Sequence, residues 1–286
     1  MAHRTISHPL TYVLVHGSAG ASAQWGPLAA LLQPGEHCLC PDLVGYPSGP
    51  HFEPGSYCFQ HEIAIVEQAL QSSASPGILV GYSFGGMVAL ATAIARPELV
   101  TRLVLIEPCA FTLLDGATHG ASRRRVLAFC GHIGALVQLG RHREAAETLF
   151  DFWELGNRWQ ALGDQRKTAI ELTMPKVAAE CALVHAPVIT AADIGRHLRT
   201  PTLVLRGSAS PRLAREVCAL VADASPCCTL ADLPGADHMS PMLRPQEVLA
   251  AVRAFCTRVD APSRAGMAAQ DNASVLRPGA PASTVV

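Results

Sequence analysis

The stretch Gly77-Ile78-Leu79-Val80-Gly81-Tyr82-Ser83-Phe84-Gly85-Gly86 decides how this chain is read. An apolar run enters it and a helix-like segment, Met87 to Ala95, leaves it, so the Gly-x-Ser-x-Gly pattern lies in a strand–turn–helix context. A serine hydroxyl is a poor nucleophile unless the backbone lifts it towards a base. A sharp turn does this, and glycines on both sides let strand and helix approach closely enough for the turn to form.

Working outward, near-continuous apolar runs recur at Thr11–Val15, Arg102–Ile106 and Thr202–Leu205. Buried parallel strands read this way. Shorter strands are expected at His37–Cys40 and Cys227–Leu230, with helices at Trp25–Leu32, Ser56–Gln71, Gly85–Arg96, Arg212–Ala222 and Pro245–Arg258. The alternation predicts an α/β fold with a mostly parallel, doubly wound sheet, built from residues 1–110 and 200–258. Residues 111–199 carry helix-like stretches (123–139, 143–155, 166–172 and 177–185) without a clear strand. They are read as an inserted helical lid over the carboxyl ends of the strands, where open α/β sheets bind ligands. Residues 259–286, rich in Ala, Pro, Ser and Gly without periodicity, are read as a disordered tail.

Composition narrows the function classes. Apolar residues make up 49% of the 286 and charged residues 16%, enough for a sizeable core. The net charge of −1 and the lone basic triplet Arg123-Arg124-Arg125 argue against nucleic-acid binding. The ten cysteines are scattered, and Cys38-Leu39-Cys40 is not a zinc knuckle, so neither a disulfide scaffold nor a metal site is expected. Several cysteines fall in apolar patterns, which suggests a reducing, cytoplasmic setting. No run reaches membrane-spanning length, and no phosphate loop or dinucleotide fingerprint implies a cofactor.

A serine nucleophile needs a base, and twelve histidines compete for that role. His238 is the candidate because Pro234-Gly235-Ala236-Asp237-His238 follows the last strand, where a loop side chain can hang over the strand ends. Acyl transfer also needs donors for the developing oxyanion. The backbone N–H of Phe84 is one candidate, and Ser18, after His16-Gly17, is the other. Trp25 either borders the pocket or pins its helix to the sheet.

Together, His16-Gly17, the Ser83 motif and Gly235-Ala236-Asp237-His238 resemble the α/β-hydrolase superfamily, in its lidded serine esterase and C–C hydrolase branch. Asp42, Gly45 and Ser48 look like that branch's structural Asp-x-x-Gly turn. The resemblance implies Ser83 as nucleophile, His238 as general base then acid, and Ser18 and Phe84 as oxyanion donors.

At the third catalytic member the sequence departs from the family. The acid is usually found in a Gly-x-x-Asp turn after the strand equivalent to Thr202–Leu205, but this chain reads Gly207-Ser208-Ala209-Ser210. Three readings compete, and Glu107 is the one taken forward as the catalytic acid. Glu107 ends the apolar strand after the nucleophile helix, where some branches carry their acid; alternatively, it pairs with a lid arginine. Asp232 or Asp237 lies close to His238 in sequence. In the third reading the triad is absent.

The lid aromatics and aliphatics, Trp153 and Trp159 among them, are expected mainly to pack, with some facing an apolar pocket. The leading expectation is a serine hydrolase acting on an ester or thioester of a small to medium apolar acyl group. Against it stand a non-hydrolytic relative (lyase, acyltransferase or cofactor-free oxygenase) and a ligand-binding member that has lost turnover. The sequence leaves the oligomeric state open.

Overall fold

The computed structural model describes residues 10–73, 76–185 and 188–260. Strands β1 (Leu10–Val15), β2 (Glu36–Leu39), β3 (Gly77–Tyr82), β4 (Val100–Ile106), β5 (Thr202–Gly207) and β6 (Cys228–Leu233) form one sheet of order β2-β1-β3-β4-β5-β6. Every neighbouring pair is parallel. The chain winds one way from β1 to β2 and the other way from β3 onward. The switch between β1 and β3 therefore opens a crevice at their carboxyl ends.

The helices are α1 (Gly26–Ala29), α2 (Phe59–Gln71), α3 (Phe84–Ala95), α4 (Gly120–Gln138), α5 (His142–Phe152), α6 (Arg158–Ala161), α7 (Asp164–Ala182), α8 (Ala191–His197), α9 (Arg212–Asp223), α10 (Ser240–Leu243) and α11 (Pro245–Asp260). Successive strand residues point to opposite faces, so each apolar run feeds two cores. Leu14, Ile78, Val80, Val104, Ile106 and Leu205 pack with Val248, Val252 and Phe255 of α11. Val13, Val15, Leu79, Leu103, Leu105 and Val204 pack with residues of α2, α3 and α9. This is why the strand sequences read as unbroken apolar runs rather than as an alternating pattern.

Between β4 and β5 lie α4 to α8, and α7 packs against both α4 and α5. Ile133, Leu136, Trp159, Ile170, Met174 and Val177 form a separate cluster among these helices.

Three local expectations are corrected. Residues 166–172 and 177–185 are not two helices: α7 runs through Pro175. A proline inside a helix forfeits a backbone hydrogen bond and costs roughly 3 kcal/mol. Burial of Met174 and Val177 and the buried ion pairs of Lys176 on either side of it oppose that cost. The helix expected over Trp25–Leu32 is shorter: a 3-10 turn, Ser22–Trp25, leads into α1, and Leu31 and Leu32 close with tight i to i+3 bonds. The helix α8 was not anticipated, although its capping box, Thr190 with Asp193, is readable in the sequence.

Val259 and Asp260 extend α11; the rest of the segment read as a tail lies outside the described residues. Among the described residues, all ten cysteines are free and no helix is long and apolar enough to cross a membrane.

Candidate active site

Ser83 sits between β3 and α3 with φ of 55° and ψ of −120°. Few non-glycine residues adopt such a backbone, and here the neighbouring glycines allow it. A Cβ on Gly85 would fall on the carbonyl oxygens of Val15 and His16, and one on Gly81 would strike the Gly85 carbonyl. A Cβ on Gly17 would come 3.0 Å from the Cβ of Ser83 and from the Tyr82 ring. The sequence expectation that glycine flanks the turn thus has a direct steric basis.

Strand register brings Glu107 alongside. Tyr82 pairs with Ile106, and Ile106 pairs with Leu205. The ladder continues one step past the strands: Ser83 N–H donates to the Ile106 carbonyl at 3.0 Å and Glu107 N–H to the Leu205 carbonyl at 3.0 Å. Glu107 also takes a positive φ, 44°, which turns its side chain off the strand line.

His238, in the loop between β6 and α10, is 2% exposed. Its Nδ1 lies 2.7 Å from Glu107 Oε2 and its Nε2 lies 3.1 Å from Ser83 Oγ. With the Nδ1 proton donated to Glu107, Nε2 is left to accept from the serine hydroxyl. Glu107 Oε1 accepts from the Gly207 N–H at 2.6 Å and the Ser210 hydroxyl at 2.5 Å. The turn after β5 carries no carboxylate of its own. Instead it supplies the donors that hold a carboxylate projecting from the neighbouring strand β4. Burial works to raise the pKa of Glu107, but the bonds from His238, Ser210 and Gly207 outweigh it and hold the carboxyl below the ordinary range.

The competing acids are engaged elsewhere. Asp237 pairs with Arg158, and Asp232 pairs with Arg206 at 2.6 Å. The alternative partner weighed for Glu107, a lid arginine, is corrected: Glu107 meets His238, and Arg158 meets Asp237.

His16, fully buried, is a structural histidine. Its Nδ1 bonds the Gly17 carbonyl and its Nε2 accepts from Leu43 N–H at 3.0 Å. Burial lowers its pKa, so the ring is neutral. Asp42 accepts from the backbone N–H groups of Ser22 and Ser48 and closes the turn that carries Tyr46.

Phe84 is the first residue of α3, so its N–H has no acceptor within the helix and lies at the positive end of the helix dipole. Ser18, after Gly17 on the loop leaving β1, lines the spaces around Ser83. Trp25 does not: it is fully buried with Tyr12, Leu14 and Leu28 and borders neither cavity at Ser83, so of its two readings the structure supports packing.

Two spaces meet at the serine. One, of about 420 Å³, is walled by residues including Phe150, Leu155, Leu162, Ile170 and Met242. The other, of about 50 Å³, is walled by residues including Met87, Phe111, Phe129, Val177 and Leu183. Ser18, Ser83, Leu149 and Trp153 belong to both walls, so Ser83 lies at their junction.

Sequence reasoning missed several contacts. The Trp153 ring stacks on His238, centroids 3.5 Å apart and planes within 5°. Cys109 Sγ lies 3.2 Å from Ser83 Oγ, and burial raises that thiol to about 12, which keeps it protonated. Ser210 was visible only as part of a turn lacking an acid. Nothing local announced that Trp153 faces the imidazole. Trp153→Ala is expected to lower kcat about tenfold, through loss of the wall that fixes the ring, an effect the size of an aromatic stacking contact. Steady-state kinetics beside a thermal melt would separate this from unfolding.

The parallel sheet, the glycine-flanked turn and the Ser83–His238–Glu107 arrangement define an α/β-hydrolase-fold protein. Residues 12–252 match the Alpha/beta hydrolase family, and the chain belongs to it. It is 33% identical over 112 residues to lipase LipV of Mycobacterium tuberculosis, across 39% of this chain and 41% of that protein. It is 37% identical over 114 residues to 2-hydroxy-6-oxo-2,4-heptadienoate hydrolase of Pseudomonas putida, across 36% of this chain and 40% of that protein. The matched stretch thus spans about two fifths of the length of these curated relatives. Among solved structures, a thermophilic esterase from Thermogutta terrifontis superposes with a TM-score of 0.66 at 24% identity, over 87% of this chain and 90% of that one, a likeness of fold.

Proposed function

We propose that this chain is a serine hydrolase that cleaves an ester, thioester or related acyl bond of a small to medium apolar substrate. The observation that carries the reading is the unbroken line from Ser83 Oγ through the His238 ring to Glu107, at 3.1 and 2.7 Å. Ser83 Oγ bonds to the acyl carbon as its proton passes to His238 Nε2, and Glu107 steadies the imidazolium that results. The carbonyl oxygen becomes an oxyanion facing the N–H groups of Phe84 and Ser18. On collapse, the leaving group departs with the proton from Nε2. Water, deprotonated by the same nitrogen, then releases the acid and returns Ser83.

The substrate class follows from the walls. Aliphatic and aromatic side chains dominate both spaces; of the two arginines at the wider one, Arg158 is paired with Asp237 and Arg166 stands at the wall. Such walls favour apolar acyl groups over polyanions. Residues 111–199, carrying α4 to α8, act as a lid that shelters the acyl-enzyme from bulk water. The reading of a member without turnover rested on the missing acid after β5, and Glu107, 2.7 Å from His238 Nδ1, counts against it.

The test is labelling by an alkyl fluorophosphonate, with the modified residue located by peptide mass mapping, alongside burst kinetics on p-nitrophenyl esters. A single adduct at Ser83 and an initial burst are expected. No adduct and no turnover across short and medium acyl chains would overturn the assignment.

A further inference from the structure

Helix α7 carries two buried charges that the catalytic line does not use. Lys176, 1% exposed, pairs with Glu62 of α2 at 2.9 Å and with Glu180 one turn along at 2.7 Å. Glu180 reaches further. Its Oε2 accepts from the Ser18 hydroxyl and its Oε1 from the Tyr46 hydroxyl at 2.8 Å. The Tyr46 oxygen in turn accepts from the Ala19 N–H at 3.0 Å. Ser18 and Ala19 belong to the loop after β1 that faces Ser83, and Ala19 is held at φ of 55°, a left-handed backbone that alanine rarely adopts. Such a conformation persists only where surrounding contacts over-determine it. Here the Ser18 hydroxyl reaches Glu180 of α7 directly, and the Ala19 N–H reaches it through Tyr46.

We propose that Tyr46 and Glu180 are positioning residues for the oxyanion loop: through them, helix α7 sets the direction of the Ser18 N–H, so that the donor is in place only when α7 is docked. This coupling rests on the serine hydrolase reading above. It deepens that reading by linking the closure of the acyl space to the stabilisation of charge. Glu180 lines the narrower space together with Val177, so a substrate seated against α7 also presses on the residue that holds the loop. Ser18 was expected only as an oxyanion donor. Its side chain has a separate role, tying the loop to Glu180.

Tyr46→Phe is the sharpest test, because it deletes the hydroxyl and leaves Lys176 between both carboxylates. An oxyanion donor removed outright costs about 10²–10³ in kcat, and a donor merely misdirected is expected to cost about 10- to 100-fold. KM should stay close to that of the parent protein, and the melting temperature should fall by a few degrees, since the Ala19 N–H and Glu180 lose their shared partner. Hexyl trifluoromethyl ketone, which adds to the serine and places an oxyanion in the site, should lose affinity by about the same factor as kcat. The matching methyl ketone, which does not add appreciably, should not. Glu180→Gln provides a second variant, expected to lower kcat in the same way and more strongly if folded.

Unchanged kcat and unchanged trifluoromethyl ketone affinity in Tyr46→Phe would overturn the proposal while leaving the hydrolase reading intact. Equal losses for both ketones would also overturn it, by showing a general pocket defect. A parent protein that neither turns over esters nor binds the trifluoromethyl ketone would remove the hydrolase reading itself, and this proposal with it.

Discussion

Replacing Ser83 by alanine is expected to lower kcat for a p-nitrophenyl ester by about 10⁶-fold, the scale seen when a serine hydrolase loses its nucleophile. The substitution removes one oxygen and little else. The left-handed backbone at position 83 is imposed by the glycines around it and by the bonds from Ser83 N–H to the Ile106 carbonyl and from Cys109 N–H to the Ser83 carbonyl. Alanine meets the same steric demand as serine there, so the melting temperature should move by no more than a few degrees. What remains is the pocket and the oxyanion donors, which alone retain about 10³–10⁴ over water. The residual rate should therefore exceed the uncatalysed one, and the burst should vanish. A variant within tenfold of the parent would mean that another group attacks.

Glu107→Gln carries the second-largest expected effect, a fall in kcat of about 10³–10⁴-fold with KM nearly unchanged. The substituted amide can still accept from the Gly207 N–H and the Ser210 hydroxyl through its carbonyl oxygen, so the local fold has its bonds. That orientation turns the amide NH₂ towards His238 Nδ1, which must then accept and leave its proton on Nε2. The base now faces Ser83 with a proton already in place. Asp237→Asn and Asp232→Asn disturb only partly exposed arginine pairs and should stay within a few-fold of the parent. If all three variants matched the parent, Glu107 would have no part in the reaction.

Glu107 also couples stability to pH. Its folded-state carboxyl is held below the ordinary range, so its contribution is fully present above the unfolded-chain value of about 4.3. That contribution is lost as pH falls through the lower folded-state value. Denaturant midpoints of the parent and of Glu107→Gln should therefore differ at neutral pH and converge in acid.

Much of this was legible in the chain. The strands could be read because a parallel strand buried on both faces leaves an unbroken apolar run, and the turn at Ser83 because its glycines answer a local steric demand. Helix boundaries were less secure where packing opposed propensity. Pro175 reads as a break, yet the burial of Met174, Lys176 and Val177 carries α7 through it. Trp25 is read as a pocket residue, with a staple as its other reading, and only its surroundings in the core show that it packs.

By itself, then, the sequence determined the α/β architecture, the place of Ser83 and the candidacy of His238, since each follows from contacts among near neighbours or from position after a strand. The tertiary structure alone decided which carboxylate faces His238, what the acid-free turn at Gly207–Ser210 does, and that Glu180 reaches Ser18. These partners lie 131, 103 and 162 residues apart along the chain. Their meeting is fixed by strand register and helix docking, which no local pattern encodes.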